Sequence, residues 1–251
     1  MGLKHRGILR IAYLWLGLDD PRLTRSRHFY LEQMGMLESL RENNRSYLRC
    51  WHEHNRFDLV LEQREASSLV EIGFQVRDEA DLDQFAAHIA AEGIEVHRSA
   101  ANSILAGLGD SISFTIPGGQ QLRLFAEMEQ SGYVTGFESP DWVTPKPLRG
   151  TAAPMFLNHV AVTSSDPAAT VDFLSKVLQF GISEKIVSDT RAEHEVQLLS
   201  ALLFRMSREV GGQELAIFPG EDGHLHHIAY TKEDPNDIMV IGTYLREQGV
   251  A

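Results

Sequence analysis

One order of segments recurs along this chain, and it limits the possible folds more than any single residue does. Leu69–Val76 (LVEIGFQV) alternates in the manner of a strand, and Asp81–Gly93 carries apolar residues at helical spacing and ends in glycine. Two strand-like runs follow, Ser111–Ile116 and Gln121–Ala126, split by the turn Pro117-Gly118-Gly119. The same order appears earlier, as a strand at Ile8–Leu16, a helix at Leu23–Gly35 and strands at Ser46–His52 and Arg56–Glu62. A third copy begins with Leu157–Thr163 (LNHVAVT). Its helix is expected over Asp166–Phe180, with Gly181 behind it, and its strands at Glu195–Leu199, Ala201–Met206 and Glu214–Phe218. A fourth opens with Leu225–Thr231 (LHHIAYT) and a helix over Asp234–Gln248. A chain of such units is expected to fold as an α+β protein.

Ser131–Met155 contains Pro140, Pro145, Pro147 and Pro154 with little apolar periodicity, and reads as a linker. Two units precede it and two follow. The expected organisation is therefore an N-terminal domain over 1–130, a linker over 131–155 and a C-terminal domain over 156–251. By comparison with the second copy, the closing strands of the fourth fall about thirty residues past its helix, beyond Ala251. The last unit is thus expected to be incomplete, truncated before those strands.

Composition narrows the partners. The chain has 251 residues, 43% apolar and 23% charged, which is a globular balance. With 23 Lys and Arg against 35 Asp and Glu, the net charge of −12 argues against nucleic acid as a partner. No apolar run approaches the roughly 18 residues of a membrane span, and the N-terminus lacks a signal-peptide pattern. Cys50 is the only cysteine, which fits a reducing, cytoplasmic setting. Eleven histidines invite a search for metal chemistry.

Two of them stand at matching places, in Asn158-His159-Val160 and His226-His227-Ile228, each early in its strand. Strand alternation puts His159, Ala161 and Thr163 on one face, and His227 and Ala229 on the matching face of the fourth unit. If those units pair, both imidazoles enter one cleft. Two such histidines with a carboxylate make the arrangement that suits non-haem Fe(II) and oxygen. The plainer alternative is a pair of hydrogen-bonded structural histidines. His226 faces the other way and reads as packing or as an outer contact of its neighbour. The first domain lacks such a pair. Its last strand carries Arg123 where a metal-binding unit would want a carboxylate, so it reads as a non-catalytic partner.

The segments YLRCWHEHNRFDLVL (Tyr47–Leu61), PGGQQLRLFA (Pro117–Ala126), LNHVAV, ATVDFLSKVLQF and GHLHHIAY resemble the type I extradiol ring-cleavage dioxygenases of the vicinal oxygen chelate superfamily, most of all the catechol 2,3-dioxygenase branch. The resemblance implies two domains of paired βαβββ modules and an Fe(II) enzyme of aromatic hydrocarbon catabolism. Its substrates would be a small aromatic diol and O2, opened beside the diol, and its assembly a homo-oligomer. His159 and His227 match the family's iron-ligating histidines; the third ligand, a glutamate, is expected beyond Ala251. One departure stands out: the family's acid/base histidine is replaced by Gln213, in Gln213-Glu214-Leu215-Ala216. A glutamine amide can donate a hydrogen bond but cannot shuttle protons near neutral pH. That keeps open a glyoxalase-like or hydroquinone-cleaving enzyme on the same scaffold, or a non-enzymatic small-molecule binding protein.

Overall fold

The computed structural model of the protein describes residues 7–131, 150–189, 196–205 and 214–250. It is a mixed α+β fold with three ladders of one pattern. In the first, β1 (Ile8–Leu18) leads to α1 (Asp20–Arg27), which continues into one π-helical turn at His28–Gln33. The chain then makes β2 (Leu37–Glu42), β3 (Arg45–Arg49) and β4 (Leu59–Gln63), and the hydrogen-bonded order is β2-β3-β4-β1. The second ladder comprises β5 (Ser68–Val76), α2 (Glu79–Ala91), β6 (His97–Ser99), β7 (Ser111–Thr115) and β8 (Gln121–Phe125), in the order β5-β8-β7-β6. The third comprises β9 (Phe156–Ser164), α3 (Pro167–Val177), β10 (Phe180–Asp189), β11 (Val196–Arg205) and β12 (Leu215–Pro219), in the order β10-β11-β12-β9. In each ladder the first and fourth strands are parallel and the other neighbours antiparallel. The order begins a fourth time with β13 (Leu225–Thr231), beside β9, and α4 (Pro235–Glu247).

Several local expectations need correction. β2, β6 and β10 had no counterpart in the sequence reading. β2 and β6 are short of buried residues, so they carry little alternation. The helix expected over Asp166–Phe180 stops at Val177, because Gln179 takes a left-handed conformation at φ 59° and Phe180 opens β10. Gly181 is not its stop. The two strands expected on either side of Ser200 are one strand, β11, paired along its length with β10.

The chain divides into two compact units that do not follow chain order. One comprises Met1–Ala12, Leu69–Glu127 and Asn158–Ala229, the other Tyr13–Ser68, Met128–Leu157 and Tyr230–Ala251. In the second, Phe57 is the centre of an aromatic core, with Tyr13 at 5.3 Å and Tyr47 at 5.2 Å between ring centroids. There too Pro154 and Met155 accept backbone N–H groups from Trp51 and His52. In the first, α3 buries Thr170, Val171, Phe173, Leu174 and Val177, and Phe114 and Phe74 meet Phe173 and Phe180.

Among the described residues, all four α-helices start on an aspartate: Asp19, Asp78, Asp166 and Asp234 each accept a hydrogen bond from a backbone N–H of the first turn. The caps give the repeats a common origin. His159 lies seven residues before Asp166, and His227 seven before Asp234. The same count from Asp78 arrives at Glu71, and from Asp19 at Ala12. Glu71 is therefore the second module's counterpart of the two histidines. It is buried, and its carboxylate accepts from Arg123 Nε at 2.8 Å, while Arg123 Nη1 donates to the Ser111 hydroxyl at 2.9 Å. Where the later modules present imidazoles, this module holds a buried ion pair.

Replacing one partner strands the other charge without water. Arg123→Leu is expected to cost roughly 3–5 kcal/mol in urea unfolding, and Glu71→Leu/Arg123→Leu to recover most of it. A double variant no more stable than the single one would show that the pair is not what Arg123 contributes.

Candidate metal centre

His159 and His227 sit on neighbouring strands with β9 in the middle. On one side β12 runs parallel to it, with Val160 opposite Leu215 and Val162 opposite Ile217. On the other, β13 runs antiparallel: Thr163 N–H donates to the His224 carbonyl at 3.0 Å, and the two ligand candidates meet further along. Val160, Ala161 and Val162 are fully buried, which leaves half-buried His159 at the border of the packed region.

The ring nitrogens converge. His159 Nε2 lies 3.3 Å from His227 Nε2, with ring centroids 5.4 Å apart and the planes at 74°. A metal–imidazole bond is about 2.1 Å, so one point lies at bonding distance from both nitrogens with an angle of roughly 100° between them. That separation suits two adjacent ligands on one ion.

The neighbour of His159 favours its ligating tautomer. Asn158 Oδ1 lies 2.8 Å from His159 Nδ1. An amide oxygen only accepts, so with the amide in this orientation the ring proton sits on Nδ1 and the Nε2 lone pair faces His227. His227 Nδ1 is 2.8 Å from His226 Nδ1, and the His226 ring stacks on Phe218 at 4.8 Å and 17°. Phe218 thus holds His226, and His226 holds His227. Burial lowers the His159 pKa, and the nearby His227 charge lowers it further. Burial and then His226 lower that of His227. Both shifts favour neutral imidazole, the form that binds a metal.

Among the described residues, no third His, Cys, Asp or Glu joins the pair. The donor set therefore fits two imidazole ligands of a divalent ion and supplies no carboxylate of its own. Gln213, expected from the resemblance at the family's acid/base position, lies outside the described residues. Its neighbour Glu214 is buried and accepts the Ile11 backbone N–H on Oε2 at 2.8 Å. Nothing in the sequence marked Asn158 as a partner of His159. The repeat that it did show runs on to the caps, as His-Val-Ala-Val-Thr-Ser-Ser-Asp-Pro from His159 and His-Ile-Ala-Tyr-Thr-Lys-Glu-Asp-Pro from His227.

Comparison with known proteins agrees with this architecture. Residues 71–129 match the catechol 2,3-dioxygenase-like N-terminal domain, and residues 156–250 match the glyoxalase/bleomycin resistance protein/dioxygenase superfamily, together more than half of the chain. The chain belongs to that superfamily, in its extradiol dioxygenase branch. Among its relatives is a metapyrocatechase from Pseudomonas sp. (strain CF600), 26% identical over 235 residues that cover 93% of this chain and 73% of that protein. A manganese-dependent 2,3-dihydroxybiphenyl 1,2-dioxygenase from Geobacillus genomosp. 3 is 23% identical over 94% of this chain and 73% of its own length. A solved variant of homoprotocatechuate 2,3-dioxygenase from B. fuscum superposes with a TM-score of 0.83 at 24% identity. It covers 99% of this chain, which spans 64% of that one. At that identity the likeness establishes the fold.

Removing the amide that orients His159 is expected to weaken divalent metal binding by about 10–100-fold in Asn158→Ala, while Asn158→Asp, which keeps an acceptor, stays near wild type. Calorimetric titration with Co(II) measures both. Equal affinity in all three proteins would mean that the amide does not set the ring.

Proposed function

We propose that this protein carries out the Fe(II)-dependent extradiol opening of a catecholic ring with O2, and that His159 and His227 are two of the metal's ligands. The observation that carries the reading is the 3.3 Å approach of two imidazole Nε2 atoms from equivalent places in two modules, within a superfamily member. The third ligand, assigned by the resemblance to a glutamate beyond Ala251, belongs to the same proposal, as do the homo-oligomer and the cytoplasmic setting. Among the described residues, no helix is long and apolar enough to cross a membrane.

A divalent ion at such a centre supplies a common anchor for a vicinal diol and dioxygen, and a route for electron density between them. The chain's own contribution is orientation. Asn158 keeps the His159 lone pair forward, the stacked His226 keeps His227 in line, and the Glu71–Arg123 pair leaves the second module without a competing ligand position. Fe(II) is the proposed ion. The manganese-dependent relative makes Mn(II) the alternative, and metal reconstitution distinguishes them.

Gln213 is proposed to stand in the place of a proton-shuttling histidine. Without a group that titrates near neutrality, catechol opening should be slow and vary little between about pH 6 and 8. Gln213→His should raise turnover tens-fold or more, because a positioned base contributes on the order of 10²–10⁴ in rate. The assay is O2 uptake by Fe(II)-loaded protein, with a product heavier than the catechol by one O2. Uptake unaffected by His159→Ala would overturn the metal assignment. A fast wild-type enzyme with a neutral Gln213→His variant would show that another group carries the proton. Chelation of the diol without O2 uptake would favour the glyoxalase-like or binding-protein reading.

A further inference from the structure

The five residues between β12 and β13 wrap the end of β9 and are held at nearly every position. Gly220 N–H donates to the Ser164 carbonyl at 3.0 Å, and the Thr163 hydroxyl donates to the Glu221 carbonyl at 2.5 Å. The Asp222 carboxylate takes two hydrogen bonds from Ser165, the backbone N–H at 2.7 Å on Oδ1 and the hydroxyl at 2.9 Å on Oδ2. Gly223 N–H donates to the Gly118 carbonyl at 2.7 Å, in the β7–β8 turn of the second module. From that turn Gln120 Nε2 donates to the Thr163 carbonyl at 2.6 Å. Space is tight on both sides. Gly119 has φ 81°, and a Cβ there would stand 3.1 Å from Asp222 Cβ; a Cβ on Gly220 would stand 2.8 Å from Thr163 Cβ.

This wrap joins the strand of one ligand candidate to the strand of the other. Asp222 is its one charged side chain bonded to β9's end. The need for such a fixture is written in the sequence, because His226 and His227 are adjacent. A slip of β13 by one residue would turn every side chain to the opposite face and present His226 where His227 now stands. Local sequence offers a histidine in either register.

We propose that Asp222 is a positioning residue that sets the register of β13 against β9 and so selects His227 as the partner of His159. The proposal rests on the metal reading above for its purpose, but the register it describes is a property of the metal-free protein. The Ser165 hydrogen bonds also hold the Asp222 carboxyl below its ordinary pKa, so the contact persists in its ionised form at neutral pH.

The test reads geometry and metal binding separately, on the whole chain. Histidine-labelled protein without metal should show a ring-to-ring NOE between His159 and His227, and Co(II) titration should give the affinity. Asp222→Ala should keep the fold by circular dichroism, lose most of that NOE and bind Co(II) at least ten-fold more weakly. Asp222→Asn, whose amide can reproduce both Ser165 contacts, should return to within about three-fold of wild type. Ser165→Ala, which removes only the hydroxyl, should give a smaller loss in the same direction. Wild-type NOE and affinity in both Asp222→Ala and Ser165→Ala would overturn the proposal, as would an Asp222→Asn protein no better than Asp222→Ala. Should Asp222→Ala fail to fold, a Ser165→Ala protein that matches wild type in both readouts overturns it. Wild-type protein that shows the NOE but binds no Co(II) would remove the metal reading, and the variants' NOE would still decide the role of Asp222.

Discussion

The site depends on β9 having a partner on each side. β12 lies parallel to it through the buried Val160–Val162 segment, and β13 lies antiparallel to it, held by Met155 N–H on the Thr231 carbonyl at one end and by Thr163 N–H on the His224 carbonyl at the other. Counted inward from Met155 and Thr231, that alignment brings position 159 beside position 227. Shift it by one residue and the two Nε2 atoms no longer face each other, whatever the sequence at either position. Hydrogen bonding of the backbone therefore comes before the chemistry. The imidazoles are placed by the strands, and only then oriented by Asn158, His226 and Phe218.

Much of this was legible in the sequence, and the exceptions have physical causes. The opening strands of the repeats announced themselves by their apolar, strand-like runs, so β1, β5, β9 and β13 were found where they lie. The edge strand β6 and the half-exposed β2 bury too little to alternate clearly, and the start of β10 at Phe180 was taken into the preceding helix because Gln179, not a glycine, makes the left-handed stop. The histidine pair was legible because repeats make position meaningful. Of its supporting contacts, His226 was already open as an outer contact of its neighbour. Asn158 and Asp222 act through distances of 2.7–2.9 Å that no spacing rule specifies.

The second module shows what the same scaffold does with an ion pair at the histidine position. Counting back from the Asp78 cap gives Glu71, and Arg123 answers it from β8. A guanidinium with several N–H donors satisfies a buried carboxylate as an ion would, but stays covalently attached and brings no open coordination position. The module keeps the packing of the fold and gives up ligand chemistry. The second module thus differs from the third and fourth in what stands seven residues before its helix cap.

The central claim is that two modules contribute one imidazole each to a single ion. X-ray absorption at the metal edge of the Fe(II)- or Co(II)-loaded chain counts those ligands directly. Imidazole scattering from two rings at about 2.1 Å is expected in the wild-type protein. One ring fewer is expected in His159→Ala and in His227→Ala, and no change in His226→Ala. A wild-type shell without imidazole, or a shell that neither His159→Ala nor His227→Ala alters, would contradict the claim.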